Sequence, residues 1–333
     1  MRRLIVNVLV VLALFVGAHG RAEKIVLRVG HFPNITHAQA LVARQNHWFE
    51  QRVGPDVKIQ WFAYNAGPSA MEAIFARSLD LAYVGPNPAI NAHLKSRGAE
   101  IRIVAGACSG GAALVVQPDG RIQRDADFKG KRIATPQFGN TQDVAARAWL
   151  RSKGLRVTMS GGDALVLPTS NPDQLALFRK GDVDAVWTVE PWVTRLEQEA
   201  KGRVYLDESA LWPDGKYVTT HLVSSARLLK EKPAVLKKWI AAHVELTEWI
   251  KAHPDEAKRL LNDEIKAETT KPLPAATLDA AWKRLELTHD PVRASLLKSA
   301  EDAHRLGFLR EKPDLSRIYE LRLLNEVLGE KTP

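Results

Sequence analysis

The chain has 333 residues, a formal charge of +9, 45% hydrophobic residues and a single cysteine. That length suffices for one large domain or two modest ones, each with a real core, and one cysteine excludes an internal disulfide. Lysines and arginines are interspersed with acids and form no basic cluster, which argues against a nucleic-acid binder despite a pI of 9.6.

Met1 to Ala22 has the pattern of a secretory signal peptide, with Arg2 and Arg3 before the mostly apolar run Leu4 to Ala18 and small residues around Gly20 and Ala22. The apolar run is shorter than the roughly 20 residues a membrane span needs. No cysteine follows for a lipid anchor, so the expected mature chain is exported, periplasmic and soluble, with a charge of about +6 once three arginines are removed.

From Ile25 to about His221, strand-like and helix-like stretches alternate. Ile25 to Gly30 is a strand, His31 to His37 a polar turn and Ala38 to Phe49 a helix. Val57 to Trp61 is the next strand, followed by a helix over Pro68 to Ser78 that Asn65-Ala66-Gly67 introduces. Leu81 to Val84, Ile101 to Ala105, Ala112 to Gln117 and Lys131 to Thr135 are further strands, with a helix over Ala89 to Arg97. Pro136, Gly139 and Asn140 break the strand ending at Thr135. Asn140 or Thr141 can then cap a helix that stops at Gly154, because a short side-chain oxygen accepts from a first-turn amide. Leu165 to Leu167, Ala185 to Val189 and Val204 to Leu206 complete the strands, around a helix over Leu175 to Lys180. Such alternation predicts an α/β fold with mostly parallel sheet.

The two halves echo each other. Asp80-Leu81-Ala82-Tyr83-Val84-Gly85-Pro86 resembles Asp184-Ala185-Val186-Trp187-Thr188-Val189-Glu190-Pro191, and the polar turn before Thr36 resembles that before Thr141, at nearly one offset. Two lobes of similar plan are the expectation. From Ala226 the pattern turns wholly helical, over Pro233 to Ala252, Pro254 to Ile265, Ala276 to Leu287, Pro291 to Leu306 and Leu315 to Leu328. Trp239, His243, Leu246 and Ile250 fall at helical spacing and read as core.

In open α/β sheets ligands sit beyond the carboxyl ends of strands. Those ends are His31 to His37, Gly85 to Asn87, Cys108 to Gly111, Thr135 to Thr141 and Glu190 to Trp192. If the lobes face each other, these loops share one cleft. Free amides and the helix dipole at Thr141 favour an anion or a carbonyl oxygen there. Trp187 reads as core and Trp192 as close to the cleft.

At Leu27 to Pro33 (L-R-V-G-H-F-P), Asp80 to Pro86 (D-L-A-Y-V-G-P), Asp127 to Ala134 (D-F-K-G-K-R-I-A) and Asp184 to Trp192 (D-A-V-W-T-V-E-P-W), the chain resembles periplasmic solute-binding proteins of ABC importers. The resemblance is to the nitrate, sulfonate and taurine branch, which also includes binders of thiamine-precursor pyrimidines. It implies a two-lobed, type II-like periplasmic-binding-protein fold with two crossover strands, near Gly110 to Gln117 and Tyr217 to Ser224, and a helical C-terminal tail. The lobes would be residues 23–110 with 222–333, and 111–221. Implied ligand positions are His31, Phe32, Asn34, Asn87, Ser109, Gly110, Phe138, Gly139, Asn140, Thr141 and Glu190, with Trp192 nearby. The implied protein is a monomer and no enzyme, with no cofactor and no nucleic-acid partner, delivering a small anionic or polar organic ligand to a membrane permease.

Other chemistries find little support in the residues. Gly106-Ala107-Cys108-Ser109-Gly110 matches G-x-C-x-G, but a nucleophile elbow must run from strand into helix, and Ala112 to Val116 reads as strand. His31 and His37 match no standard metal spacing. An enzyme built on the same two-lobed fold is the alternative from another functional class.

Overall fold

A computed structural model describes residues 24–159 and 161–329, so the signal-peptide segment lies outside the described residues. Two separate sheets organise the chain. In chain order, the first lobe opens with β1 (Ile25–His31), α1 (Ala38–Asn46), α2 (Trp48–Val53), β2 (Val57–Ala63) and α3 (Gly67–Phe75). It continues through β3 (Leu81–Val84), α4 (Pro86–Lys95) and β4 (Ile101–Gly110). The chain then crosses into β5 (Ala112–Val116), β6 (Arg132–Thr135), α5 (Thr141–Ser152), β7 (Leu165–Pro168), α6 (Asn171–Lys180), β8 (Ala185–Val189), α7 (Trp192–Ala200) and β9 (Arg203–Asp207). It returns through β10 (Val218–Ser225) to the first sheet. There follow α8 (Ala226–Glu231), α9 (Pro233–Ala252), α10 (Pro254–Thr269), α11 (Ala275–Trp282), β11 (Leu285–Leu287), α12 (Arg293–Arg305) and α13 (Arg322–Leu328).

The first sheet has the order β11-β4-β10-β3-β1-β2 and the second β7-β6-β8-β5-β9. Within each, one trio is parallel: β1 between β2 and β3, and β6 between β7 and β8. The internal echo is physical. Asp80 Oδ2 accepts from the Arg28 amide at 2.9 Å, and Asp184 Oδ2 accepts from the Arg132 amide at 2.9 Å, across the same 52-residue separation. In both lobes the arginine side chain then reaches a carbonyl at the end of the preceding helical turn, Arg77 in one and Gly181 in the other. An aspartate just before the inner strand thus ties down an amide of the outer strand, and this fixes the parallel register Val29 to Leu81 in one sheet and Ile133 to Ala185 in the other.

Each sheet is buried on both faces. Against the first, α1, α2, α9 and α10 pack on one side around Leu41, Phe49, Trp239 and Leu246, with Phe49 and Trp239 stacked at 3.8 Å. Met71, Ile90, Val144 and Leu296 fill the other side. In the second lobe, Phe128, Trp149 and Trp187 form one core and Leu175, Phe178 and Val193 the other. His243 is fully buried between Tyr83 Oη (3.1 Å) and the Gly106 carbonyl (2.8 Å), a satisfied core histidine.

Three details differ from the sequence reading. The helix expected over Ala276 to Leu287 ends at Trp282, and Leu285–Leu287 instead adds a strand beside Gly110, Ser109 and Cys108. Leu315 to Leu321 is not helical; Tyr319 bridges to Ile103, and only Arg322–Leu328 coils. The helix over Ala38 to Phe49 breaks at His47, whose φ is +55°. In the first two cases the helical period was real, but pairing with β4 satisfies backbone groups that the core would otherwise bury unpaired.

Gly106 carries a steric constraint of its own, because a Cβ there would occupy the place of the Asp290 carbonyl. Gly106→Ala should therefore force β4 off the 289–291 segment and cost roughly 1–3 kcal/mol, read as a lowered urea midpoint with unchanged slope.

Candidate functional site

The carboxyl ends of the parallel strands in both sheets point toward a common gap. From β1 the chain turns at Phe32 to His37; β2 leads into α3 at Gly67, β3 into α4 at Gly85, β6 into α5 at Asn140 and β7 into α6 at Asn171. All these turns line one cavity of about 30 Å³, space for a very few water-sized groups. Phe32, Asn34 and Asn65 face Pro136, Asn140 and Thr141 across it, and Thr219 and Thr220 of β10 also line it.

The α5 turn is held rigidly. Asn140 Oδ1 caps the helix by accepting from the Asp143 amide at 2.9 Å. The Asp143 carboxylate in turn accepts from the Gly139 amide (2.9 Å), the Thr135 hydroxyl (3.0 Å) and Arg147 Nε (3.1 Å). Burial pushes Asp143 above the usual carboxylate range, against the pull of Arg147. Helix geometry leaves the first-turn amides without intrahelical partners. The Asn140 amide bonds to the Gln137 carbonyl and the Asp143 amide is capped, so those of Thr141 and Gln142 stay open.

No lysine, arginine, aspartate or glutamate lines the cavity. Burial, and secondly His31, push His37 well below the usual histidine range, so it is neutral. Its Nδ1 accepts from the Phe32 amide at 3.4 Å, which leaves the proton on Nε2. The hydroxyls of Thr141 and Thr220 are buried and have no hydrogen-bond partner in the protein. A buried hydroxyl without a partner costs about 1–3 kcal/mol, so these two groups await a bound molecule or water. The arrangement offers neutral donors and helix amino ends to one small polar or anionic group.

The lobes touch around this cavity. Trp192 Nε1 donates to Asn34 Oδ1 at 3.0 Å, Asn65 Nδ2 to the Pro136 carbonyl at 3.3 Å, and Gln137 Nε2 to Ser69 Oγ at 3.0 Å. Gly85 packs so closely on Thr141 that any Cβ there would collide with the hydroxyl.

Of the positions that the resemblance implies, Phe32, Asn34, Asn140 and Thr141 line the cavity. Trp192 reaches it only through Asn34. His31 is fully buried and turned away, with Nε2 2.5 Å from Glu268 of α10. Asn87 donates to the Ser299 carbonyl at 3.2 Å and faces a second cavity of about 270 Å³ between α5 and α12. Phe138 is 46% exposed and packs on Phe308, while Gly139 forms the turn at φ +73°. Ser109 and Gly110 belong to β4, beside the crossing into the second sheet. Cys108 lies within the same strand, and burial raises its thiol far above the usual range, which removes it as a nucleophile.

Glu190 is the site's main electrostatic feature, and it too lies outside the cavity. It caps α7 by accepting from the Thr194 amide (3.1 Å) and hydroxyl (2.8 Å), and it pairs with Arg284 Nε at 3.1 Å. Arg284 also meets Glu197 at 2.8 Å and Asp207 at 3.4 Å. Because Arg284 directly precedes β11 and the Glu190 amide donates to the Gly111 carbonyl at 2.8 Å, the cluster straddles the crossing between the sheets. Sequence reasoning missed Arg284, Thr219, Thr220 and Asn171. Asn65-Ala66-Gly67 carried a turn signal; a threonine in a strand carries none.

A model of the NMT1-like family matches residues 20–262. The chain belongs to the NMT1-like family. It is 24% identical over 216 residues to the taurine-binding periplasmic protein of Escherichia coli K12, covering 65% of this chain and 64% of that one. The alkanesulfonate-binding protein from Xanthomonas axonopodis pv. citri, bound to MOPS, superposes with a TM-score of 0.73 at 22% identity over 90% of this chain and 99% of the other. The nitrate-binding protein from Synechocystis PCC 6803 gives 0.77 at 14% identity, over 92% of this chain and 89% of that one. These likenesses place the fold among periplasmic binding proteins, and the relatives matched in sequence are named binding proteins rather than enzymes.

Burial, opposed by the Thr194 bonds and Arg284, holds Glu190 up at about 7. An unfolded glutamate titrates near 4.3, so between roughly pH 4.3 and 7 the folded chain keeps a proton that the unfolded chain has lost. Glu190 therefore lowers stability as pH rises through that window, with a slope of up to about 1.4 kcal/mol per pH unit. His221 and His243, held near 4 by burial, act in the opposite sense because the unfolded chain binds more protons. The clean observable is a difference: the stability of Glu190→Gln relative to the parent should rise from pH 5 to 7.5. A pH-independent difference in urea unfolding would contradict this assignment.

Proposed function

We propose that this is an exported, monomeric solute-binding protein that captures a small anionic or polar organic ligand between two lobes and hands it to the permease of an ABC importer. The observation that carries the reading is the pair of unpartnered hydroxyls, Thr141 at the start of α5 beside the second sheet and Thr220 on β10 of the first, beside open helix amides in a cavity shared by both sheets. Family membership and the taurine- and alkanesulfonate-binding relatives support a sulfonate-, taurine- or nitrate-like ligand. The sequence pattern of Met1 to Ala22 supports export to the periplasm. The lobes, residues 23–110 with the C-terminal part and the segment between, hinge at Gly110 and Gly111 and along the return from β9 to β10. Gly110 and Gly111, at φ +77° and +79°, suit a passage whose backbone must change course abruptly.

Thr141 sits at the first helical position, with Asn140 as the cap, so Thr141→Ala removes a ligand partner without removing the cap. Loss of a hydrogen bond to a buried ligand is worth roughly 1–3 kcal/mol, or about 5- to 150-fold in affinity. Calorimetric titration of Thr141→Ala and Thr220→Val with alkanesulfonates, taurine and nitrate should show that loss without a lowered melting temperature, since each change removes a buried hydroxyl that has no partner in the protein. Full affinity in both folded variants would remove the cavity as the site. N-terminal mass analysis of the exported protein should find a chain beginning near Glu23, and retention of Leu4 to Phe15 would refute export by cleavage.

A further inference from the structure

A cationic groove lies outside the cavity between the sheets. It measures about 560 Å³ and runs between the end of α4 and the segment that follows α12. Lys95, Arg97, Arg310, Lys312 and Arg317 line it, against the two acids Glu311 and Asp314. We infer that this groove, with the neighbouring Phe138 and Phe308 rings, is a docking surface for anionic phospholipid headgroups, through which the exported protein meets the membrane. The step concerns a different surface from ligand capture and rests on the reading above only for export.

Packing accounts for part of the positive charge and leaves the rest free. Arg317 Nη2 donates to the Arg97 carbonyl at 3.1 Å and Arg102 Nη1 to the Gly98 carbonyl at 2.7 Å, so these two arginines serve carbonyls just beyond the end of α4. Lys95 pairs with Glu72 at 2.8 Å, an exposed pair of little strength. Arg97, Arg310 and Lys312 are exposed and make no ion pair among the described residues. Asp314 is engaged in its own turn, accepting from the Ser316 amide at 3.0 Å. Cations also crowd behind the groove: burial, and then Arg317, lower Arg102 below the usual arginine range.

The position selects a charged surface over a single ion. A compact anion site uses the amino end of a helix, whereas this groove stands at the carboxyl end of α4, where the dipole opposes a buried anion. Long exposed side chains can instead reach out to phosphates that stay hydrated. Phe308 lines the groove and packs at 5.1 Å on Phe138, which is exposed in the turn before α5. Exposed aromatic rings beside cations suit a membrane surface, the rings entering the headgroup region and the cations meeting phosphate.

Flotation of the full exported chain with vesicles tests the assignment. Phosphatidylcholine vesicles with about one-third phosphatidylglycerol should carry the protein, pure phosphatidylcholine should not, and added salt should weaken binding. Joint Arg97→Gln, Arg310→Gln and Lys312→Gln replacement should weaken it by about fivefold per charge, roughly 100-fold in all. The same charge removed at exposed Lys58, Lys180 and Lys266, on β2, α6 and α10, should cost far less. Equal losses in the two triple variants would assign the effect to net charge and overturn the groove. Absence of binding to the anionic vesicles would overturn the proposal outright. Displacement by inorganic phosphate, but not by chloride at equal ionic strength, would make the groove a site for the soluble ion and overturn the membrane assignment. Ligand capture is read separately, by the titrations described above.

Discussion

The structure depends on one recurring constraint: an aspartate at the base of an inner parallel strand receives an amide of its outer neighbour. Asp80 does this for Arg28 and Asp184 for Arg132, at matching distances. The register so fixed brings the strand ends of each lobe level with one another, and each ends in a turn that starts a helix. Strand-to-helix turns then place the helix amino ends on the same edge as the strand carboxyl ends. Two such edges turned toward each other make a gap surrounded by helix starts, and the cavity between the sheets is a consequence of this geometry.

Charge is distributed to suit that gap. Side-chain ions are kept outside the cavity and paired, with Asp143 and Arg147 behind the α5 turn and Glu190 with Arg284 at the crossing between sheets. The cavity itself presents dipoles and hydroxyls. A group bound by neutral donors needs no lysine or arginine to be stripped of water, so the desolvation cost falls mainly on the ligand. Fixed dipoles also avoid the side-chain ordering that a long cationic side chain would require.

The fold was largely legible in the chain because its signals are local. Alternating apolar strands, proline and glycine breaks, and the aspartate that precedes a short apolar strand at both Asp80 and Asp184 each act over a few residues. The C-terminal region was misread at Leu285–Leu287 and Leu315 to Leu321 because strand pairing there is decided by an exposed edge of β4, distant in sequence. The site was legible only as a set of turns. His31, Asn87 and Glu190 all stand at strand ends, yet their side chains are captured by Glu268, Ser299 and Arg284, partners 237, 212 and 94 positions away along the chain.

By itself the sequence determined the alternation of elements, the duplicated plan and the polar, glycine-bearing turns, since each follows from side-chain period and backbone freedom within a short window. Only the tertiary structure decided which of those turns face the cavity, which hydroxyls remain without partners and where the buried carboxylates are paired. Those outcomes depend on contacts between segments far apart in sequence, as when Arg284 of the C-terminal region closes on Glu190. Thr220, an ordinary strand residue in sequence, brings an unpartnered hydroxyl to the cavity because β10 runs between β3 and β4.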